Sequence, residues 1–140
     1  MIESARELPK LKKRQFSPKQ LQQSRNKLGL VGEDRACQFL QKLGYRVLTS
    51  NLVYVHGELD LVCFDPTNHE LVFVEVKTRS QTCYGHPSQA VKHKQLRSLD
   101  RVARKFLQVN KLNLDYRFDI VSVLPGKIEH FQNVTWFSGL

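Results

Sequence analysis

Cysteine is scarce in this sequence and follows no pairing pattern. Cys37, Cys63 and Cys83 are an odd number with no C-x-x-C spacing, which excludes a disulfide framework and a thiolate zinc site as organising devices. Cys37 and Cys63 stand among apolar neighbours and read as small core hydrophobes. No apolar run approaches the length that spans a bilayer, and the first residues lack the apolar stretch of a secretion signal. Internal repeats and a glycine-rich phosphate loop are missing as well. The expectation is a soluble protein of the reducing cytoplasm with no membrane partner.

Negative charge is also in short supply. Thirteen acids oppose 22 Lys and Arg, for a net charge of +9 and a pI near 9.7, so a polyanionic partner is expected. Residues 1–27 hold eight basic groups against two acids, +6 of that total. With two prolines and no sustained period, 1–25 reads as a basic, mobile arm, either merely solvated or strengthening nucleic-acid binding. Residues 26–140 read as one domain, long enough for a core without staples.

Apolar periodicity places the elements. Ala36, Phe39, Leu40 and Leu43 predict an amphipathic helix over 30–43, closed by Gly44. Glu33 precedes Ala36, Cys37 and Leu40 by three, four and seven residues, so it shares their stripe. It is either a helix-start acid meeting the dipole or an acid directed inward toward a site. A strand is predicted over 45–54 with a break near Ser50-Asn51. The longest helix, 88–109, carries Leu96, Leu99, Val102, Ala103, Phe106 and Leu107 on one side. Opposite them lie Lys94, Arg97, Arg101, Arg104 and Lys105, read either as a solvated face or as a row along a phosphate backbone. Strands follow over 116–124, 127–132 and 134–137, with a turn at Pro125-Gly126. Arg117 and Asp119 share a strand face as a structural charge pair.

The chemistry is concentrated in residues 57–79, GELDLVCFDPTNHELVFVEVKTR. Two apolar strands meet at a turn, Asp65-Pro66-Thr67-Asn68, and each carries charge: Glu58 and Asp60 in the first, Glu75 and Lys77 in the second. Alternation puts each pair on one strand face. Burying such charges is costly unless they are paired. One reading is a structural ion pair of Lys77 with Asp60 or Glu75. The other is a divalent-metal site, in which Asp60, Glu75 and the carbonyl of Val76 hold Mg2+ or Mn2+. Lys77, about 6.5 Å along the strand from Glu75, then positions or deprotonates an attacking water, and Glu33 completes the acidic cluster. His56, His69, His86, His93 and His130 have no ligand spacing.

Several strings extend this pattern: G-E-x-x-A (Gly32, Glu33, Ala36), G-Y (Gly44, Tyr45), Asn51, G-E-L-D-L (Gly57 to Leu61), F-V-E-V-K-T-R (Phe73 to Arg79), Y-G (Tyr84, Gly85) and R-F-D (Arg117 to Asp119). Together they resemble the YraN-like family of bacterial proteins, over about 29–134. That family is similar to Holliday-junction resolvases and tRNA-endonuclease-like domains of the restriction-endonuclease-like PD-(D/E)xK superfamily. The resemblance implies an α/β fold, a mixed central sheet flanked by helices, with Glu33, Asp60, Glu75 and Lys77 at the acidic and lysine positions. Family members often carry Lys where this chain has Gln95, with Lys94 beside it.

The functional expectation is a metal-dependent nuclease, or a nuclease-like binding protein, that hydrolyses phosphodiester bonds in DNA rather than RNA, branched or damaged structures included. The catalytic set is Asp60, Glu75, Lys77 and Glu33, and the expected nucleic-acid contacts are Lys94, Gln95, Arg97, Arg101, Arg104 and Arg79. A homodimer is compatible with the sequence. The alternatives are a non-catalytic nucleic-acid-binding module on the same fold, and an assembly protein whose charges are structural pairs.

Overall fold

The structure, a computed structural model, describes residues 27–55, 57–79 and 93–134, with 27–30 and 93–96 as backbone alone. The basic arm, His56, His86, Cys83 and the expected helix start at 88–92 lie outside the described residues. The element order is α1 (Lys27–Lys42), β1 (Arg46–Tyr54), β2 (Gly57–Asp65), β3 (Glu70–Thr78), α2 (His93–Val109), β4 (Tyr116–Leu124) and β5 (Lys127–Phe131). The strands form one mixed sheet in sequence order, antiparallel except for the parallel pair β3 and β4. This is the α/β architecture expected.

The sheet separates two cores. On one face Leu71 and Phe73 of β3 meet Leu99, Val102 and Phe106 of α2. On the other, Val72 and Val74 meet Ala36 and Leu40 of α1. Strand alternation thus sends successive β3 side chains to different helices. Phe73 anchors the first core through edge contacts with Phe106 and Tyr116, at centroid distances of 5.8 and 5.7 Å. Cys63 is buried in the second core, where desolvation, with Cys37 beside it, pushes its thiol up to about 12. That is the chemistry of a packing residue.

Local chemistry sets the connections. Helix α1 ends in a Schellman motif: Tyr45 N donates to Leu40 O at 3.1 Å and Gly44 N to Gln41 O at 3.0 Å, with Gly44 at φ 96°, a conformation glycine adopts without a Cβ penalty. The β2–β3 turn is held by Asp65, whose Oδ1 accepts the Thr67 amide at 2.9 Å and whose Oδ2 accepts Asn68 Nδ2 at 3.0 Å. Strand β1 runs unbroken through Ser50-Asn51; its irregularity lies between Val47 and Thr49. Asn51 absorbs a positive φ of 53° inside the strand, as asparagine tolerates. No strand begins at Val134, which is buried against the α2-side core; 135–137 lie outside the described residues.

Arg117 and Asp119 are more than a pair. The Arg117 guanidinium contacts Asp119 and Asp65, each at 3.0 Å, and Glu70 at 2.5 Å. It also donates to Tyr45 Oη at 2.7 Å, while Asp119 engages His130 Nε2 at 2.8 Å. Burial disfavours the Arg117 cation, yet the bonds and charge of Asp119 and the other acids raise its pKa. Burial likewise opposes the Asp65 carboxylate, but Arg117 and the turn amides hold its pKa below the ordinary value. One cation thus ties the β2–β3 turn to β4 and to the end of α1.

Candidate active site

The site begins where two strands part. β2 and β3 pair from Asp65↔Glu70 to Leu61↔Val74, and the ladder stops there. The next β3 amide facing β2 is that of Val76, and the Asp60 side chain takes it: Val76 N donates to Asp60 Oδ2 at 2.7 Å. Leu59 packs into the α2-side core and Leu61 into the α1-side core, so alternation slips at the residue between them. The expected face shared by Glu58 and Asp60 is corrected accordingly. The Asp60 carboxylate turns into the gap between the strands, and Glu58 is exposed. Because the N–H and C=O of one strand residue point to the same side, the Val76 carbonyl also faces this fork.

Glu75 and Lys77 flank Val76, their charged groups 3.6 Å apart and mostly shielded from solvent. Glu33 arrives from α1 and shares a hydrogen bond with the Asp60 side chain. Helix α1 starts at Lys27, and no acid stands in its first turn; Glu33 belongs to the second turn. Its side chain is turned toward Asp60.

Two glycines let the helices close on this end of the sheet. A Cβ on Gly32, one residue before Glu33, would collide with Thr78 Oγ1 at the end of β3. A Cβ on Gly57 would come within 2.7 Å of Ser98 Oγ on α2. The first glycine brings Glu33 to Asp60; the second seats α2 against the start of β2.

Crowded carboxyls in a shielded place resist ionisation. Burial first, then the charge of Asp60, push the Glu75 pKa from its ordinary 4.5 up to about 7, although Lys77 opposes the shift. The Asp60 pKa is raised by burial, with the Val76 amide and Lys77 countering. These are the signs of an acidic cluster short of positive charge. Among the described residues no three His, Cys, Asp or Glu side chains are grouped as a ready-made metal cage. Mg2+ commonly takes only one or two carboxylates and keeps several waters, and the hard oxygens of Asp60, Glu75 and the Val76 carbonyl fit that demand.

The other expected residues are spread more widely. Arg97, Arg101 and Arg104 are exposed along α2. Arg79 follows β3, its amide donating to Val123 O at 2.9 Å. The side chains of Lys94 and Gln95 lie outside those described. Sequence reasoning missed Asp100 and Tyr116, joined by a 2.9 Å hydrogen bond; a lone acid within a basic helical face was the available signal.

Residues 32–123 match the family described as Uncharacterised protein family UPF0102. That span opens at Gly32 and takes in Glu33, Asp60, Glu75 and Lys77. The chain belongs to this family. It is 38% identical over 112 residues to a UPF0102 protein of Flavobacterium psychrophilum, covering 77% of this chain and 92% of the relative. A UPF0102 protein of Syntrophomonas wolfei is 41% identical over 111 residues, covering 76% and 95%. One of Caldicellulosiruptor saccharolyticus is 42% identical over 101 residues, covering 71% and 84%. The expected YraN-like membership therefore holds over the body of the chain. Among the described residues, no helix is long and apolar enough to cross a membrane.

Proposed function

We propose that this UPF0102 protein is a divalent-metal-dependent nuclease of the restriction-endonuclease-like type, cutting phosphodiester bonds in DNA. The observation that carries the reading is the fork itself. Glu33, Asp60, Glu75 and Lys77 come from α1, β2 and β3 to one place where β2 leaves β3. A purely structural pair would need no opened ladder and no third or fourth charged group.

In this reading Asp60, Glu75 and the Val76 carbonyl would hold Mg2+ or Mn2+, which would neutralise phosphate charge and lower the pKa of bound water. The Val76 amide fixes one Asp60 oxygen. Glu33 steadies Asp60 from the helix side. Lys77, held beside Glu75, orients the attacking water and faces the negative charge that develops on the phosphate. The exposed arginines of α2 supply the electrostatic attraction to the backbone.

The test is incubation with branched, single-stranded and duplex DNA in Mg2+ or Mn2+. Cleavage that falls on the order of 10²-fold or more in Asp60→Asn and Glu75→Gln is expected. No cleavage of any form, or cleavage undiminished in both variants, sinks the catalytic claim. Salt-sensitive DNA binding without cleavage or metal uptake would leave the non-catalytic binding module in its place.

A further inference from the structure

Away from the acidic fork, α2 and the first residues of β4 enclose a cleft of about 640 Å³. Arg97, Arg101 and Arg104 stand along its helix side, and Tyr116 and Phe118 line it from the strand. β5 joins β4 only from Ile120 onward, so among the described residues no strand covers the outer edge of β4 beside the cleft.

Its charges are unequally committed. Asp100 Oδ2 pairs with Arg104 at 2.8 Å, and Asp100 Oδ1 accepts the Tyr116 hydroxyl at 2.9 Å. Arg97 and Arg101 have no ion-pair partner among the described residues. The Tyr116 ring is fixed at its hydroxyl end by Asp100 and along its body by edge contacts to Phe73 and Phe118, at 5.7 and 5.8 Å. The cleft therefore offers a preset aromatic surface beside two uncommitted guanidiniums. Its volume lies within the range of small-ligand sites. A flat ring joined to phosphates matches both features: aromatic and guanidinium planes stack on bases, and arginine holds phosphate.

We propose that this cleft takes one unpaired nucleotide of a single-stranded DNA segment, its base against Tyr116 and its flanking phosphates on Arg97 and Arg101. The inference rests on the nucleic-acid reading of the protein and sharpens it. The substrate it selects has a single-stranded arm, gap or flap and is not an intact duplex.

Fluorescence anisotropy in EDTA, with the full chain, tests the cleft apart from any cleavage. The probes are a thymidine oligonucleotide, its abasic counterpart and a blunt duplex. The oligonucleotide should bind about 10-fold more tightly than the abasic strand, as loss of one stacked base implies, and more tightly than the duplex. Arg97→Ala with Arg101→Ala should weaken both single strands by a similar factor or more. Tyr116→Leu should abolish the preference for bases, whereas Tyr116→Phe, which keeps the ring, should retain it; thermal melts identify a variant that has merely unfolded. Equal affinity for normal and abasic strands overturns the cleft proposal while leaving nucleic-acid binding intact. Competition by dTMP at oligonucleotide concentrations, or by an acidic peptide, also overturns it. Failure to bind DNA of any form overturns the broader reading as well.

Discussion

The Asp60 carboxylate substitutes for a strand: its Oδ2 accepts the Val76 amide at 2.7 Å where the β2–β3 ladder has ended. One side chain thereby satisfies a shielded backbone donor and keeps the two strands apart. Shape and charge can be separated by substitution. Asp60→Asn retains an acceptor for Val76 and removes a charge that burial disfavours, so its stability in urea should match or exceed that of the parent. Asp60→Ala orphans the amide and should lose about 1–3 kcal/mol. Both should lose divalent-ion uptake. A structural ion pair predicts instead that Asp60→Asn is itself markedly destabilised.

Glu75 makes stability fall as pH rises. Its pKa is near 7 in the fold against an ordinary 4.5, so between those values the folded protein binds more protons than the unfolded chain. For this group, stability is fully present below about pH 4.5 and is lost on the way to about pH 7, on the order of 3 kcal/mol. Urea denaturation at about pH 5 and about pH 8 measures the slope, and Glu75→Gln should flatten it. Added Mg2+ favours the ionised carboxylate and should recover stability at the higher pH.

Gly32→Ala should be destabilising by about 1–3 kcal/mol, even though alanine improves helix propensity by up to about 1 kcal/mol. The reason is the collision with Thr78 Oγ1. In a double-mutant cycle, Thr78→Ala should recover part of the loss, because it removes the atom in the way. Additive losses would show that the two residues do not meet.

Arg117→Met leaves Asp65, Glu70 and Asp119 without their shared cation, and removal of one member of such a buried network typically costs about 3–5 kcal/mol. Arg117→Lys should recover little of it. An ammonium is a compact charge that cannot span three carboxylates and Tyr45 as the planar guanidinium does. Denaturant midpoints of the two variants check both statements.

Much of the architecture was legible because local chemistry declares it. Pro66 and Asn68 mark the hairpin turn, Ala36 and Leu40 mark the inner face of α1, and the apolar run from Leu71 to Val74 marks a central strand. The sequence string around Asp60, Glu75 and Lys77 also named the groups that the structure brings together. What periodicity could not show was the fork. Alternation assumes a continuing ladder, and Asp60 sits where the ladder ends. Arg117 was half-read for a related reason: Asp119 is two residues away, but Asp65, Glu70 and Tyr45 reach it only through the folded sheet. Asn51 misled in the opposite direction, since a residue that favours turns absorbs its positive φ within β1.

Crystals grown with Mn2+ and measured for anomalous scattering test the central claim most directly. The account predicts a peak at the fork, beside Asp60, Glu75 and the Val76 carbonyl, and its loss in Glu75→Gln. A map with no peak there at saturating Mn2+, or with the ion bound elsewhere and Glu75 still paired to Lys77, would contradict it.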